Sequence, residues 1–526
     1  METKQTFIDF LREQSGKILE QTLVHLGLTF SALLLALVIG LSLGILISFQ
    51  RRLAALVLGI AGILQTIPSI ALLGFMIPLL GIGAQPAIAA LLLYALLPII
   101  RNTYTGITQI DPAITEAALA LGMNPRQVLM KVQLPLAMPV ILAGIRIAAV
   151  ITVGVATLAA YIAAGGLGEF IFGGIALNNT HMILAGAIPA AVLALLCDGL
   201  LSLIQKLSAR RLRHMSWLLP CCLIVLSSAL LAPATFDRKM LAGFTPEFMG
   251  RQDGFLGLQK VYGLTLRTVV INDMIMYKAI AGKKLDLISG STTDGRVKAY
   301  DLLALEDDKH IFPPYYAAPL VHHKTLEKYP QLTPVLNMLA GRIDDSTMTA
   351  LNYQVDYLKQ SPEQVALDFL KQNNLYRPPS PSKTGDNIII GSKLFGDGYI
   401  LAAMYKILVE GYTSLNVTTK TGLGGTQICF EALANGQIDL YPEYTGTGLM
   451  VILKTPKAVT DTLLTNPGKV YAYVKEAFHK QYGLDWMLPI GFNNTYAVMM
   501  RRSQADSLGI HSLSALKSWL NKNPTL

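Results

Sequence analysis

This chain predicts an all-α membrane part followed by an α/β part in two pieces, and three observations carry that prediction. Apolar residues make up 52% of the 526 and charged residues only 15%, a balance that places part of the chain in lipid. Long apolar runs fill the stretch from about Val24 to Ser208, whereas beyond about Arg238 polar and apolar residues alternate. The alternation then takes the form of short β-branched strands separated by helical patterns, the signature of an α/β fold.

Taken in order, residues 1–22 carry Lys4, Asp9, Arg12, Glu13, Lys17 and Glu20 with no apolar core between them, so no cleavable signal peptide is expected. The segment predicts an interfacial amphipathic helix with Phe7, Phe10, Leu11 and Ile18 toward the bilayer, or equally a solvated helix cap. Apolar runs at 24–49, 54–80, 85–103, 137–162, 182–205 and 216–235 are mostly near the ~20 residues a hydrocarbon core requires, giving six spans. Arg51, Arg52, Arg126, Lys131, Lys206, Arg210, Arg211 and Arg213 all fall on one side under alternating traversal, which makes that side cytoplasmic. The amino terminus and everything after about Pro233 are then exterior. Arg146 and Asp198 lie within spans, near enough to the ends to snorkel, with a pathway-lining role as the alternative.

Between the third and fourth runs, the sequence writes two short helices. Asp111 caps the first with Pro112 at its first position, Gly122 ends it, Asn124-Pro125 starts the second and Pro135 stops it. Ile114, Ala117, Ala118 and Leu121 form one apolar stripe, and Pro125, Val128, Leu129 and Val132 another. With spans on both sides and only Arg126 and Lys131 as basic residues, DNA reading is set aside. The pattern Glu116-Ala117-Ala118, Gly122, Val132-Gln133-Leu134-Pro135 resembles the cytoplasmic coupling loop of ABC importer permeases. That resemblance implies a separate ATPase subunit docking on the loop, through Glu116, Ala117, Ala118, Gly122 and Pro135, and a second copy of the permease.

In the exterior part, Leu266–Val270, Leu285–Ser289, Asn387–Gly391, Leu415–Lys420 and Ile438–Tyr441 read as strands and Met274–Ala281 as a helix, which predicts parallel sheets with helices on both faces. Ligands in such folds sit at strand carboxyl ends. The Pro/Ser-rich stretch 376–386 has no periodicity and reads as a linker between the two pieces. The motifs Gly391-Ser392-Lys393, Gly422-Leu-Gly-Gly-Thr-Gln427, Tyr441-Pro-Glu-Tyr-Thr-Gly-Thr447, Asn493-Asn-Thr-Tyr496, Thr293-Asp-Gly-Arg296 and Phe312-Pro-Pro-Tyr315 together resemble the binding proteins of quaternary-amine (glycine betaine, carnitine, choline) ABC importers. The resemblance covers nearly all of 242–526 and implies a two-lobed, type II periplasmic-binding-protein-like domain.

The order of its pieces is reversed: the piece opening Gly391-Ser392-Lys393, first in the family, comes second here. A circular permutation accounts for this, with the family's termini joined through 376–386 and the chain's end at Leu526 standing where the family runs on into Leu241. The expected organisation is thus an amphipathic segment 1–22, a permease 23–208 with its coupling loop at 111–135, an extra span and tether 209–237, and a binding domain 238–526. Within the last, 238–375 corresponds to the family's second half, 376–386 is the linker and 387–526 corresponds to the first half.

A trimethylammonium group has no N–H to donate, so it is held by dispersion and by aromatic faces, each cation–π contact contributing about 0.5–2 kcal/mol. The resemblance places Tyr444, Tyr496 and Tyr315 at the family's cage positions. Where the family has a fourth aromatic, two residues before Thr293, this chain has Ser291, which widens the pocket or passes the role to Tyr316 or Phe395. Lys393 and Arg251 match positions that hold the ligand's anionic end, with Thr447 and Asn494 adding hydrogen bonds. The glycine turn 422–425 offers backbone N–H groups to an anion.

Among enzyme classes, no nucleophile–base pair and no metal-ligand constellation is legible, so catalytic residues, metal and cofactor are all expected to be absent. Gly282-Lys283-Lys284 lacks the upstream Gly and the hydroxyl residue of a phosphate-binding loop, so ATP is hydrolysed elsewhere. The net charge of +9 reflects in part the cytoplasmic-side excess rather than nucleic-acid binding. Of four cysteines only Cys429 lies in the exterior part, which at roughly 290 residues buries enough core to do without a disulfide. The function expected is import of a quaternary-ammonium solute. An ergothioneine-type betaine is the alternative cargo, and a membrane-tethered solute sensor the alternative class.

Overall fold

The structure, a computed structural model, describes residues 6–177, 179–205, 240–381, 385–464 and 466–523. The chain divides into two compact units, one built on residues 1–175 and 179–238, the other on 239–268 and 273–526.

Among the described residues of the first unit, four helices are long and apolar enough to cross a membrane: Ser15–Phe49, Ala84–Thr108, Pro125–Ile162 and Thr180–Gln205. The run 54–80, expected as the second span, is a pair, Arg51–Thr66 and Ser69–Leu80, bent by 99°. Pro68 explains the bend, because its ring drives Ile67 out of the helical region to ψ 128. The run 216–235, with Cys221 and Cys222, lies outside the described residues. Small residues bring the helices close. A Cβ on Gly44 would lie 2.5 Å from Thr103 Cβ, and one on Gly144 2.5 Å from Asn102 Cβ, so only glycine permits these crossings.

Further expectations for this unit need correction. Phe10 is buried and packs with Phe170 and Ala185, with Phe7, Leu11 and Ile18 beside them, so these side chains turn inward instead of toward lipid. A capping box between Thr6 and Asp9 starts this helix, Phe7–Glu13, and the next runs unbroken from Ser15 through the first span. Arg146 and Asp198 do not snorkel apart. The Arg146 guanidinium donates to both Asp198 oxygens at 3.0 and 2.9 Å and to Gln205 Oε1 at 2.9 Å, tying the fourth apolar run to the fifth.

The segment between spans folds as expected at its start. The Asp111 carboxylate accepts from the Ala113 N–H, the helix Pro112–Ala120 ends before Gly122 at φ +83, and Asn124 forms a capping box with Gln127. Pro135 does not stop the second helix. The chain passes through a π turn, Leu129–Gln133, into Leu134–Ala156, where Pro135 occupies the first turn and needs no N–H partner. Glu116, Ala117 and Ala118 lie on the first of these helices.

The second unit holds two five-stranded sheets. Its strands are β1 (Leu241–Phe244), β2 (Arg267–Val270), β3 (Leu287–Ser291), β4 (Leu302–Ala304), β5 (Ala317–His322), β6 (Asn387–Gly391), β7 (Asn416–Lys420), β8 (Leu440–Tyr444), β9 (Leu484–Trp486) and β10 (Tyr496–Arg501). The first sheet runs β2-β1-β3-β10-β4 and the second β7-β6-β8-β5-β9. Each sheet is the centre of a lobe. Lobe 2 is one continuous stretch, 317–486, and lobe 1 gathers 240–304 with 496–523, so the chain crosses between them twice, through 305–316 and 487–495. The crossings pair at Tyr316 and Asn493.

The sheets are mixed, not parallel throughout. β1–β3, β6–β7 and β6–β8 are parallel, while β10 runs antiparallel to β3 and β4, and β5 antiparallel to β8 and β9. β5 and β10 are the strands that arrive from the other lobe, and so enter their sheets from the opposite end. Helices cover the sheets with separate apolar cores, Phe244, Phe248, Leu287 and Val498 in lobe 1 and Ile388, Leu401, Met404 and Leu440 in lobe 2. On the other face of the lobe 2 sheet, Cys429, Phe478 and Trp486 form a further core. Burial pushes the Cys429 thiol up to about 12, so it is an inert core residue. The expected linker lacks regular structure where described, and Arg377 in it stacks 4.2 Å over the Tyr412 ring.

Candidate ligand site

Thr245, directly after β1, caps the short helix Pro246–Gly250, its hydroxyl accepting from the Phe248 N–H. That turn delivers Glu247, Arg251 and Asp253 to one place. The Arg251 guanidinium donates to both Asp253 oxygens at 2.9 and 2.6 Å, to Glu247 Oε1 at 3.2 Å and to the Tyr315 hydroxyl at 3.0 Å. The Tyr315 hydroxyl in turn donates to Asp253. The guanidinium carbon stands 4.9 Å from the Tyr496 ring centre and 5.7 Å from that of Tyr315, and those rings meet edge to face at 5.5 Å. Burial works against the charge on Arg251, but Asp253, Tyr315 and Tyr496 together hold the guanidinium well above its usual value.

A second charged pair comes from lobe 2. Lys393, just past the end of β6, has its ammonium 2.6 Å from Glu443 Oε1 and 3.0 Å from Thr426 Oγ1, and 5.3 Å from the centre of the Tyr444 ring. Glu443, fully buried at the end of β8, also accepts from the Tyr441 hydroxyl at 2.9 Å and the Tyr444 N–H at 2.7 Å. The Thr426 hydroxyl donates to Glu247 at 2.9 Å, which joins the two pairs across the lobes. Thr426 opens the helix that follows the glycine turn 422–425, so the anion at that helix start is the protein's own Glu247.

Asp397 completes the arrangement. It accepts from the Tyr444 hydroxyl, from Asn494 Nδ2 at 2.8 Å and from the Gly398 N–H at 2.8 Å, and burial raises its carboxyl above the ordinary range. Asn494 Oδ1 accepts from Thr293 at 2.7 Å, so hydrogen bonds run from lobe 1 through a crossing segment to lobe 2. Beside this, Arg296 bonds Asp273 and Asp294, each at 2.6 Å, and stacks 4.0 Å over Tyr277. Asp356, near the same acids, has its carboxyl pushed up to about 7 by burial and then by Asp294.

Of the residues expected at the site, Tyr315, Tyr496, Tyr444, Arg251, Lys393 and Asn494 fall within this one network. Thr447 is buried one helical turn beyond Tyr444. Ser291 sits directly across the strand pair from Tyr496, so an aromatic there would stand beside that ring, where serine presents only a small side chain. Tyr316 belongs to the crossing bridge with Asn493, and Phe395 caps the helix Gly396–Tyr412. The sequence reading missed Glu247, Asp253, Glu443 and Asp397. Arg251 and Lys393 were expected as free partners for an anion, yet both are already matched by carboxylates. Glu247 lies four residues before Arg251 and Glu443 stands inside the Tyr-Pro-Glu-Tyr motif, so part of the signal was present.

Sequence spacing also did not reveal one grouping of side chains able to ligate a metal. His323, His479 and Asp485 offer three ligand atoms within 4.8 Å of one another. His323 and Asp485 are 162 residues apart in the chain, a separation that no local spacing reveals.

A helical membrane unit carrying a two-lobed α/β domain in one chain defines the class: a multi-pass inner-membrane transport protein with its solute-binding domain attached. Comparison with known proteins gives the family. The chain belongs to the family of the substrate binding domain of ABC-type glycine betaine transport systems, matched over 227–372 and 386–524, joined to a binding-protein-dependent transport system inner membrane component, matched over 36–214. The permease part is 42% identical to the carnitine transport permease protein OpuCB of Listeria monocytogenes over 208 residues, 39% of this chain and 95% of that one. It is 41% identical to the choline transport system permease protein OpuBB of Bacillus subtilis over 199 residues, 38% of this chain and 92% of that one. A relative that joins both parts is the ergothioneine transport permease/ergothioneine binding protein EgtU of Helicobacter pylori, 28% identical over 484 residues, 65% of this chain and 88% of that one. Such permease and binding domains are transport components, not enzymes.

Proposed function

We propose that this protein is the membrane and solute-binding subunit of an ATP-driven importer for a small quaternary-ammonium solute. The observation that carries the reading is the junction of Tyr315, Tyr496 and Tyr444 with four carboxyl groups, Glu247, Asp253, Glu443 and Asp397, against two cations, Arg251 and Lys393. Aromatic faces and an acid excess suit a cation with no N–H. Ligand draws the lobes together about the crossings 305–316 and 487–495, and the tyrosines form the cage. Thr447 and Asn494 orient the ligand's other end, while Arg251 and Lys393 stay paired with their carboxylates.

The rest of the assembly follows from the family. A separate ATPase subunit docks on the cytoplasmic segment 111–135, through Glu116, Ala117, Ala118, Gly122 and Pro135, and two copies of this chain form the pore. The binding domain is exterior and circularly permuted. In support, β1 and the helix Leu513–Lys522, between which the family chain would be continuous, share lobe 1. The stretch 376–386 joins a helix to β6 within lobe 2. Domain limits of 1–22, 23–208, 209–237 and 238–526 agree with this reading.

A second cargo, an ergothioneine-type betaine, is favoured by the small side chain of Ser291 opposite Tyr496 and by the relative that joins both parts. Calorimetric titration of the full-length protein with choline, glycine betaine, carnitine and ergothioneine separates the two. At least one of these binds, and Tyr444→Ala and Tyr496→Ala together weaken it by about 1–4 kcal/mol. Absence of binding by the whole panel, or affinity unchanged in the double variant, would sink the cage.

A further inference from the structure

We propose that His323, His479 and Asp485 form a binding site for one divalent transition-metal ion, zinc by its ligand chemistry, on the surface of lobe 2. Nδ1 of His323 lies 2.6 Å from Oδ2 of Asp485, and Nδ1 of His479 lies 2.7 Å from Oδ1 of the same carboxylate. The two imidazoles stand edge to face with centres 5.0 Å apart, and the three ligand atoms all lie within 4.8 Å of one another. Two imidazole nitrogens and a carboxylate oxygen are the donors zinc prefers, and a tetrahedral ion with bonds of about 2.0–2.2 Å separates its ligands by roughly 3.3 Å. Each contact therefore opens by only about 0.6 Å to admit the ion, and the fourth position stays free for water.

The backbone holds these ligands in place before any ion arrives. β5 and β9 pair with Val321 opposite Asp485 and His322 opposite Leu484, and the His323 N–H donates to the Gly483 carbonyl at 3.0 Å. Gly483, at φ +63, ends the helix Pro467–Tyr482 and turns the chain directly into β9, which brings Asp485 back beneath His479. A site built on paired strands and a helix end is rigid enough to select a coordination geometry.

A carboxylate also stands behind one of the imidazoles. Nε2 of His323 faces Glu327, whose Oε1 is 3.5 Å away. An imidazole that binds metal through Nδ1 carries its proton on Nε2, and a carboxylate facing that N–H is the outer partner found behind metal-bound histidines. The imidazole side chains are 41% and 52% exposed, so the ion enters from solvent without any rearrangement of the fold.

The test uses the full-length protein, purified in detergent without a polyhistidine tag, dialysed against chelator and titrated with zinc chloride by calorimetry and by competition with a zinc indicator. One zinc per chain is expected. His323→Ala and His479→Ala each abolish it, Asp485→Asn weakens it at least tenfold, and Glu327→Gln weakens it about tenfold. His511→Ala, a change at an exposed histidine elsewhere in lobe 1, leaves it intact. Melting curves recorded without metal identify any variant that misfolds, and His323→Gln and His479→Gln then replace the alanine variants. No zinc bound by the parent, or zinc bound equally by parent and both histidine variants, overturns the proposal.

Discussion

Replacing Glu443 with Gln tests the reading of the ligand site on two independent axes. Glu443 and Lys393 are 0% and 4% exposed and their charges meet at 2.6 Å, so the change leaves an ammonium buried without its counter-charge. Removing one partner of such a pair costs about 3–5 kcal/mol. Lys393 retains Thr426 at 3.0 Å and the Tyr444 ring at 5.3 Å, and Gln still accepts a hydrogen bond, so the lower end of that range applies. Lys393→Met with Glu443→Gln removes both charges and is expected to recover about half or more of the loss.

The second axis is cargo. With Glu443 neutral, Lys393 is free to meet a ligand carboxylate, and a charge interaction at about 4 Å with an effective dielectric of 20 is worth about 4 kcal/mol. Affinity should therefore shift from choline toward glycine betaine and carnitine. Chemical unfolding followed by the fluorescence of Trp486, buried in the same lobe, reads the first effect, and calorimetry with the same ligands reads the second. If the double variant is no more stable than the single, and the order of ligand preference does not change, the account of the pair is wrong.

Other expectations concern separate parts of the chain. Asp356 has its carboxyl raised to about 7 from 3.8, so its stabilising protonation is complete below pH 3.8 and lost as pH rises through 7. Partial exposure reduces the effect to about 2 kcal/mol, and Asp356→Asn should lower the drop in melting temperature between pH 5.5 and pH 8; an unchanged drop refutes it. Arg146→Leu strands Asp198 within the membrane unit at a cost of about 3 kcal/mol, whereas Arg146→Leu with Asp198→Leu should restore thermal stability in detergent. A double variant less stable than the single one argues against that pair. Finally, Glu116→Ala with Gly122→Ala should reduce co-purification of the ATPase subunit. Full recovery of that subunit would remove the docking role from the loop.

Legibility in the sequence followed the range of the interactions. The spans, the caps at Asp111 and Asn124, and strands such as Asn387–Gly391 are local in origin, so periodicity and capping chemistry found them. The bend at Ile67-Pro68 was also local, but the apolar run through it was continuous and its length concealed the proline. Strand direction was not legible for β5 and β10, because their entry from the opposite lobe is a property of topology, not of residue pattern. The tyrosines were found through motifs. Their acidic partners were not, since Lys393 meets Glu443 across 50 residues and Glu247 meets Thr426 across 179. Pairings at such separations are decided by how the lobes fold, and no spacing rule records them.

Lobe 2 is a single uninterrupted insertion, 317–486, while both the start of β1 and the helix ending at Lys522 belong to lobe 1. The first strand and the last helix of the domain, as described, therefore belong to one lobe alone. Lobe 1 is the door frame and lobe 2 the door, hung on two straps of chain. A change in either crossing therefore alters how the two lobes meet and leaves the strand order of each sheet untouched.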